Sequence, residues 1–444
     1  MRTAQTITRR RLFKAGLGTL PLAAQNPSGT AVLPFDDARP ILNEFAAELP
    51  SGLGGAPVTA ASWREWEATH DREIRSRLKR GDSDTIVNFV LFGTSFTTRP
   101  RVPRVQAEGD QEASALIAAR VQDFAAAVVH PGRNERLQFA AEWLKENSAE
   151  KRVAAFTLEN IQRVLREQTE YARAIADAKQ KDAASVFIER SSLYRTRGLS
   201  LDTSFRPNYA IERSLAEMKS AGVLRSVQRA AVIGPGLDFT DKRSGYDFYP
   251  AQTLQPFALI DSLLRLRLAE APPVAIFDLS GRVLSHVRGA ITGPAYTVQL
   301  ALDGDTRWVP AAVEYWRTSC WEIGTETAPL RPPPGTEARM RAVRIRPPIV
   351  KLLQPYDLDI VIQRLEGPRF DLIVATNILV YYSQFEQALA LANIAAMLRP
   401  GGILLTNNAL PEVAGLPMHP AGATSVAYSE DADDGDHVLW YKRE

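Results

Sequence analysis

The sequence predicts an α/β fold: a doubly wound, mainly parallel sheet closed by a C-terminal antiparallel hairpin and preceded by a mainly helical domain. Three observations predict it. Short apolar runs in the second half end in Gly, Asp or Asn, in the order Ala231-Val232-Ile233-Gly234-Pro235-Gly236, Ile276-Phe277-Asp278, Phe370-Asp371-Leu372-Ile373-Val374-Ala375-Thr376-Asn377 and Leu398-Arg399-Pro400-Gly401-Gly402-Ile403-Leu404-Leu405. The ligand-facing ends of parallel strands read this way. Helical patterns alternate with these runs, as βαβ units require. Before Ala221 the pattern is mainly helical. The expected organisation is a basic tail over 1–35, a helical domain over 36–221, and a sheet domain over 222–444 with insertions at 237–250 and 289–342.

At the N-terminus, Thr8-Arg9-Arg10-Arg11-Leu12-Phe13-Lys14 precedes the weakly apolar stretch Ala15 to Ala24 and resembles a twin-arginine export signal. A plain basic tail is the alternative. Ser62-Trp63-Arg64-Glu65 reads as a capping box, with Trp63, Trp66, His70, Ile74 and Leu78 along one helical face until Gly81. His70 on that face reads as a packed core histidine rather than a ligand. Phe89 to Phe96 is an apolar core segment, and Thr157 can cap a helix that buries Leu158, Ile161 and Leu165. Ile211, Leu215 and Met218 mark a further helix, stopped near Gly222.

In the second half, Ala230 to Ile233 is the first strand and Leu254 to Leu268 a helix. Val274 to Phe277 is the second strand, and a helix starts over Arg282 to Arg288. Phe370 to Ala375 is the fourth strand, Phe385 to Leu398 a helix, and Ile403 to Thr406 the fifth strand. Ser425 to Ser429 and His437 to Tyr441 flank the acidic turn Glu430 to Asp436 and form a hairpin.

Composition narrows the function classes. A chain of 444 residues with 45% apolar and 23% charged residues buries a large core and holds two domains or more. Its net charge of +2 favours no nucleic-acid partner. One cysteine, Cys320, excludes an internal disulfide, and five scattered histidines have no metal-ligand spacing. No apolar run is long enough to span a membrane in a mature chain.

Gly234 and Gly236 let the backbone bend sharply and approach a ligand closely. Phe239 occupies the position of the third glycine of dinucleotide binders, and Asp238 and Asp241 place carboxylates beside the turn that would repel a pyrophosphate. Asp278 ends its strand where a carboxylate can accept from both ribose hydroxyls; the alternative is a helix N-cap.

The ordered motifs resemble those of class I S-adenosylmethionine (SAM) dependent methyltransferases, whose sheet is Rossmann-like. The run Phe370 to Tyr382 and the turn Leu398-Arg399-Pro400-Gly401-Gly402 are similar to the chemotaxis-receptor glutamate methyltransferases. Thr376 stands where that group has arginine, and the glutamate after its glycine turn is not evident. The likeness covers roughly residues 225–410 and leaves the acceptor open.

The resemblance implies SAM as cofactor, held by Gly234, Pro235, Gly236, Asp238, Asp278, Leu279 and Asn377. It implies that Asp357 accepts from the adenine amino group while Leu358 offers its backbone amide; the alternative is a polar turn made by Pro355 and Asp357. Tyr381 and Tyr382 would face the transfer site as catalytic residues. Tyr246, Trp316 and Trp321 would contact substrate, the alternative for Tyr246 being that it only anchors its loop. The helical half and the insertion at 289–342, rich in Trp308, Tyr315, Trp316 and Trp321, would wall the acceptor, with Arg307 and Arg317 holding an anionic group; the alternative is that these aromatics only pack the insertion onto the domain. The acceptor is then a small molecule or a protein. Two other classes remain: a non-catalytic binding or scaffold protein, and an NAD(P)-dependent oxidoreductase. SAM supply favours the cytoplasm, whereas the twin-arginine-like segment favours export.

Overall fold

The computed structural model describes residues 29–444 except 55–56, 103–110, 180–197, 241–245, 305, 335, 368 and 432–433. Residues 1–28, which hold the twin-arginine-like segment, lie outside the described residues. In chain order the strands are β1 (Thr30–Val32), β2 (Ala230–Ile233), β3 (Val274–Asp278), β4 (Tyr296–Asp303), β5 (Gly324–Thr327) and β6 (Ala338–Ile345). They continue with β7 (Leu353–Asp357), β8 (Gln363–Leu365), β9 (Phe370–Ala375), β10 (Leu398–Thr406), β11 (Met418–Ala427) and β12 (Gly435–Arg443). Every residue of β2 and β9 is buried, so these central strands are near-continuously apolar rather than alternating, with Asp371 the one charged residue, paired with Arg399.

The main sheet has seven strands in the order β11-β12-β10-β9-β2-β3-β7. The strands from β10 to β7 run parallel, and β12 is inserted antiparallel between β10 and β11. The expected closing hairpin is therefore present, with longer arms. Chain order moves outward in opposite directions from the β2–β9 pair, and this switch point opens a crevice at the carboxyl ends of both strands.

Alternation along β2 divides the interior. Ala230 and Val232 join Leu215, Phe257, Ile260 and Trp440 on one side. Ala231 and Ile233 join Trp63, Ile74, Phe385 and Ile394 on the other. A third core, with Phe89, Phe124, Trp143 and Ile161, lies among helices Ala60–Phe92, Gln111–Ala127, Glu135–Glu146 and Val153–Lys179. Leu237 and Phe239, just past the glycine turn, pack into that third core. The helical half and the sheet half are thus joined by shared packing.

Several elements differ from the expectation. The long helix starts at Ala60, because Thr59 caps it: Ser62 N donates to Thr59 Oγ1 at 3.2 Å, and Thr59 N to Ser62 Oγ at 3.0 Å. It runs through Gly81 to Phe92, taking in the start of the Phe89 segment. Gly81 is no stop signal; a Cβ there would lie 1.9 Å from the Leu199 carbonyl oxygen, so glycine lets residues 198–199 cross the helix. Thr157 lies inside its helix, one turn past the start, and is buried there instead of capping. The 289–342 insertion forms a separate antiparallel sheet, β4-β6-β5, with helix Pro310–Thr318. No helix among the described residues is long and apolar enough to cross a membrane.

Candidate functional site

The glycine turn follows β2 at the crevice. Gly234 and Gly236 have φ of +61° and +63°, the left-handed region that glycine enters without penalty. A Cβ on Gly234 would lie 2.2 Å from Ile378 Cδ1, and one on Gly236 would lie 2.5 Å from the Leu201 carbonyl oxygen. The turn is therefore gripped from the end of β9 and from residues 201–203 of the helical half. No helix starts here. Phe239 packs edge-on against Phe139 at 5.2 Å, and the next helix opens only at Gln255.

Two cavities flank the turn. The smaller, about 310 Å³, has Ile233, Phe277, Asp278, Leu279, Leu358 and Tyr382 on its sheet side; Arg75, Leu78, Lys79 and Asp82 of the long helix form the opposite wall. The larger, about 1080 Å³, is lined by Thr376, Asn377 and Asn407 at the sheet and by Asn88, Glu167, Asp202 and Asn208 from the helical half. Both include Ser200, Leu201, Gly234, Gly236, Ile378 and Tyr381, so they meet at the glycine turn.

Asp278 ends β3 and accepts Ser280 N at 2.7 Å. Burial pushes its carboxyl up to about 7; the amides of Ser280 and Gly236 hold it down, while Asp357 adds to the rise. Ser280 caps helix Gly281–Thr292 through Val283 N, so Asp278 does not serve as the cap. Asn377 adopts φ +60°; its amide N donates to Asn407 Oδ1 at 2.8 Å, and Asn407 Nδ2 returns a bond to Asn377 Oδ1 at 2.5 Å. The Tyr381 carbonyl accepts Arg77 Nη2 at 2.8 Å. Tyr382 is buried, and burial followed by the neighbouring Asp359 pushes its hydroxyl well above the usual range. It stays neutral and is no base.

Behind the tyrosines, His70 lies with Nε2 3.1 Å from Asp359 Oδ2 and Nδ1 3.2 Å from Glu386 Oε1. Burial opposes its charge, yet the two adjacent carboxylates outweigh that and raise it to about 10. It is a buried imidazolium tying the long helix to the segment that carries both tyrosines.

The structure corrects several expected site residues. Asp238 lines neither cavity; Tyr249 Oη and Gln252 Nε2 donate to its Oδ2 at 3.0 and 2.9 Å. Asp241 is outside the described residues. Pro235 is buried and shapes the turn without lining a cavity. Asp357 is exposed at the rim, 3.4 Å from Arg75 Nη2. Leu358 reaches the smaller cavity, but its amide faces the Asp278 carbonyl at 3.4 Å. Tyr246 Oη donates to the Glu337 carbonyl at 3.0 Å and anchors its loop to the insertion. Trp316 is buried with Nε1 on the Leu300 carbonyl at 3.1 Å, and Trp321 is 52% exposed. Arg307 pairs with Glu430 and Arg317 with Glu314. Tyr315 packs 5.4 Å from Phe205 and from Tyr209, Arg206 lies over Trp308 at 4.4 Å, and none of the insertion lines either cavity.

Sequence reasoning missed Asp202 and Asp82. Asp202 sits at the turn through its bridge to Leu237, and Asn88 Nδ2 donates to its Oδ2 at 3.2 Å. No motif marks either carboxylate, because Asp202 reaches the turn only through the tertiary crossing of residues 198–203 and Asp82 only through the packing of the long helix over the cavity. Among the described residues no His, Cys, Asp and Glu cluster could hold a metal ion.

No protein-family model matches the chain. No curated protein matches it either. Among solved structures it is similar to the N-methyltransferase NodS from Bradyrhizobium japonicum WM9, at 13% identity over 52% of this chain and 94% of that one, with a TM-score of 0.27. It is similar to magnesium protoporphyrin IX methyltransferase from Synechocystis PCC 6803 with bound SAM, at 10% identity over 62% and 91% of the two chains and a TM-score of 0.26. A third, a mutant of MtNAS, shares 11% identity over 76% of this chain and 90% of its own, with a TM-score of 0.25. At TM-scores this low the likenesses carry no argument about function, which rests on the site itself.

Proposed function

We propose that the chain is a SAM-dependent methyltransferase, with the nucleoside in the smaller cavity and the methionine end at the mouth of the larger one. The observation that carries the reading is the junction of two cavities at a glycine turn that no helix follows. A pyrophosphate binds where a helix N-terminus points at it. Here Phe239 directs the chain into the helical core instead, which counts against the nicotinamide reading.

The residues present fit the donors of SAM. Asp278 suits the ribose diol, Asp202 the α-ammonium, and Leu279 and Leu358 flank the base. Bound SAM supplies an electrophilic methyl group on a sulfonium. The protein's share is alignment and exclusion of water, since transfer is an in-line displacement. Tyr381 lines both cavities and is placed to orient an acceptor; Asn377 and Asn407 brace the adjoining edge.

The acceptor, a small molecule or an exposed protein side chain, enters the larger cavity. The glutamate acceptor of the group that the motifs resemble is not part of the proposal. Thr376 accepts Gln255 Nε2 at 2.8 Å in place of an arginine, and Arg206 of the larger cavity is paired with Asp434. SAM supply favours the cytoplasm as its compartment; cell fractionation that recovers it outside would favour export.

Calorimetric titration with SAM, S-adenosylhomocysteine (SAH) and NADH tests the reading. SAM and SAH should bind and NADH should not; NADH binding alone overturns the proposal. Methyl-labelled SAM with cell extract then separates enzyme from scaffold, since a scaffold binds SAH and labels nothing.

A further inference from the structure

Asp82 stands apart from the groups used so far. Arg75, Leu78, Lys79 and Asp82 recur at i, i+3, i+4 and i+7 along the long helix, so one helical stripe forms the wall of the smaller cavity opposite the sheet. Across from it lie Phe277, Leu279, Leu358 and Ile360, an apolar slot. No hydrogen bond or ion pair reaches the Asp82 carboxylate among the described residues. Burial pushes it up to about 6, with Arg282 holding it down and Glu146 adding to the rise. The Arg282 guanidinium is itself 3.1 Å from Glu142 and stacked over Phe139. Lys79, one turn back, makes no ion pair with it.

A carboxylate facing an apolar slot without a partner is costly unless a ligand brings a donor. A nucleoside brings two kinds of donor: the ribose diol, which the strand-end Asp278 matches, and the exocyclic amino group of adenine. We propose that Asp82 accepts the adenine amino group in the smaller cavity and makes the site select adenine over hypoxanthine. The inference rests on the nucleoside reading above and adds a base-selecting residue supplied by the helical half. Asp357, the expected partner of that amino group, is occupied with Arg75 at the rim.

The test compares SAH with its hypoxanthine analogue, in which a carbonyl acceptor replaces the amino donor. The full-length wild-type chain should prefer SAH by about tenfold or more, the usual effect of a bond to a charged group. Asp82→Asn, whose amide can donate to the hypoxanthine carbonyl, should shrink or reverse that preference. Asp82→Ala should weaken SAH while leaving the analogue unchanged. Thermal midpoints of the unliganded variants, at or above wild type, establish that they are folded. If both variants keep the wild-type ratio, Asp82 does not face the base, and the methyltransferase reading is untouched. If the wild type binds neither ligand, the nucleoside reading fails and this inference fails with it.

Discussion

SAH binding should strengthen at least tenfold with each pH unit gained up to about 7 and level off above it. Asp278 is the reason. In the unliganded protein its buried carboxyl is protonated below about 7, against an ordinary value of 3.8. A ribose diol donates best to the ionised form, so below that point binding must also expel a proton, at about 1.4 kcal/mol per pH unit. The sign for stability is opposite. Because the folded value is raised, the contribution of this group is full below 3.8 and is lost as pH rises through 7. The rise from 3.8 to about 7 sets an upper limit of about 4 kcal/mol on that loss.

Asp278→Asn removes the titration but also one acceptor for the Ser280 and Gly236 amides, a loss of about 1–3 kcal/mol. The variant should therefore match or exceed the thermal midpoint of the wild type at pH 8 and fall below it at pH 4. Its SAH affinity at pH 8 should be tenfold or more weaker, with a flattened pH profile. Calorimetry from pH 5.5 to 8.5, in two buffers of different ionisation heat, counts the protons released. Asp82 titrates near 6, so below that point it steepens the profile; Asp82→Asn should remove this extra steepness and leave the tenfold-per-unit rise to 7. Flat affinity with no proton release, in a wild type that stays folded throughout, would refute the reasoning.

Gly236→Ala should abolish SAH binding: the left-handed conformation costs about 1–2 kcal/mol for alanine, and its Cβ meets the Leu201 carbonyl. Calorimetry of a folded variant with unchanged affinity would contradict this. His70→Ala leaves Asp359 and Glu386 buried without their cation and should destabilise the chain by about 3–5 kcal/mol at pH 7. His70 is raised from 6.5 to about 10, so its contribution is full below 6.5 and lost as pH rises through 10; the gap to wild type in urea unfolding should narrow accordingly. Removing residues 36–219 should eliminate SAH binding, because Leu78, Asp82 and Leu201 wall the cavities. A folded truncation with wild-type affinity would show that the sheet suffices.

The sheet was legible because its strands are buried on both faces: the apolar runs ending in Gly234, Asp278 and Asn377 stand out against their polar flanks. These three residues line the cavities where the switch-point rule puts a ligand. What sequence could not show is which carboxylate near a turn faces inward. Asp238 is adjacent in sequence yet consumed by Tyr249 and Gln252, while Asp202 arrives from well upstream of Gly236 through a crossing that Gly81 permits. Aromatic density misled for a similar reason. Trp316 and Tyr315 are buried, but against the core beneath β4 and β6, which composition cannot tell from a pocket. The Thr59 cap escaped notice because both Thr59 and Ser62 are capping residue types, and only the backbone decides which comes first.

The pairing of β1 with β8 bears on how the chain is made. Thr30 to Val32 form a two-stranded ribbon with Gln363 to Leu365, and Arg364 Nη1 bonds Asp37 Oδ2, 327 residues away in sequence. Helix Phe35–Glu44 lies against helix Gln384–Met397, which leaves the ribosome late. At about 5–20 residues per second, the segment made first of the two waits on the order of tens of seconds for its partner. Through that interval Ile41, Leu42 and Phe45, all buried in the finished protein, have no native surface to cover them. Slowing translation past residue 230 should therefore lengthen the exposure of helix Phe35–Glu44 to proteases.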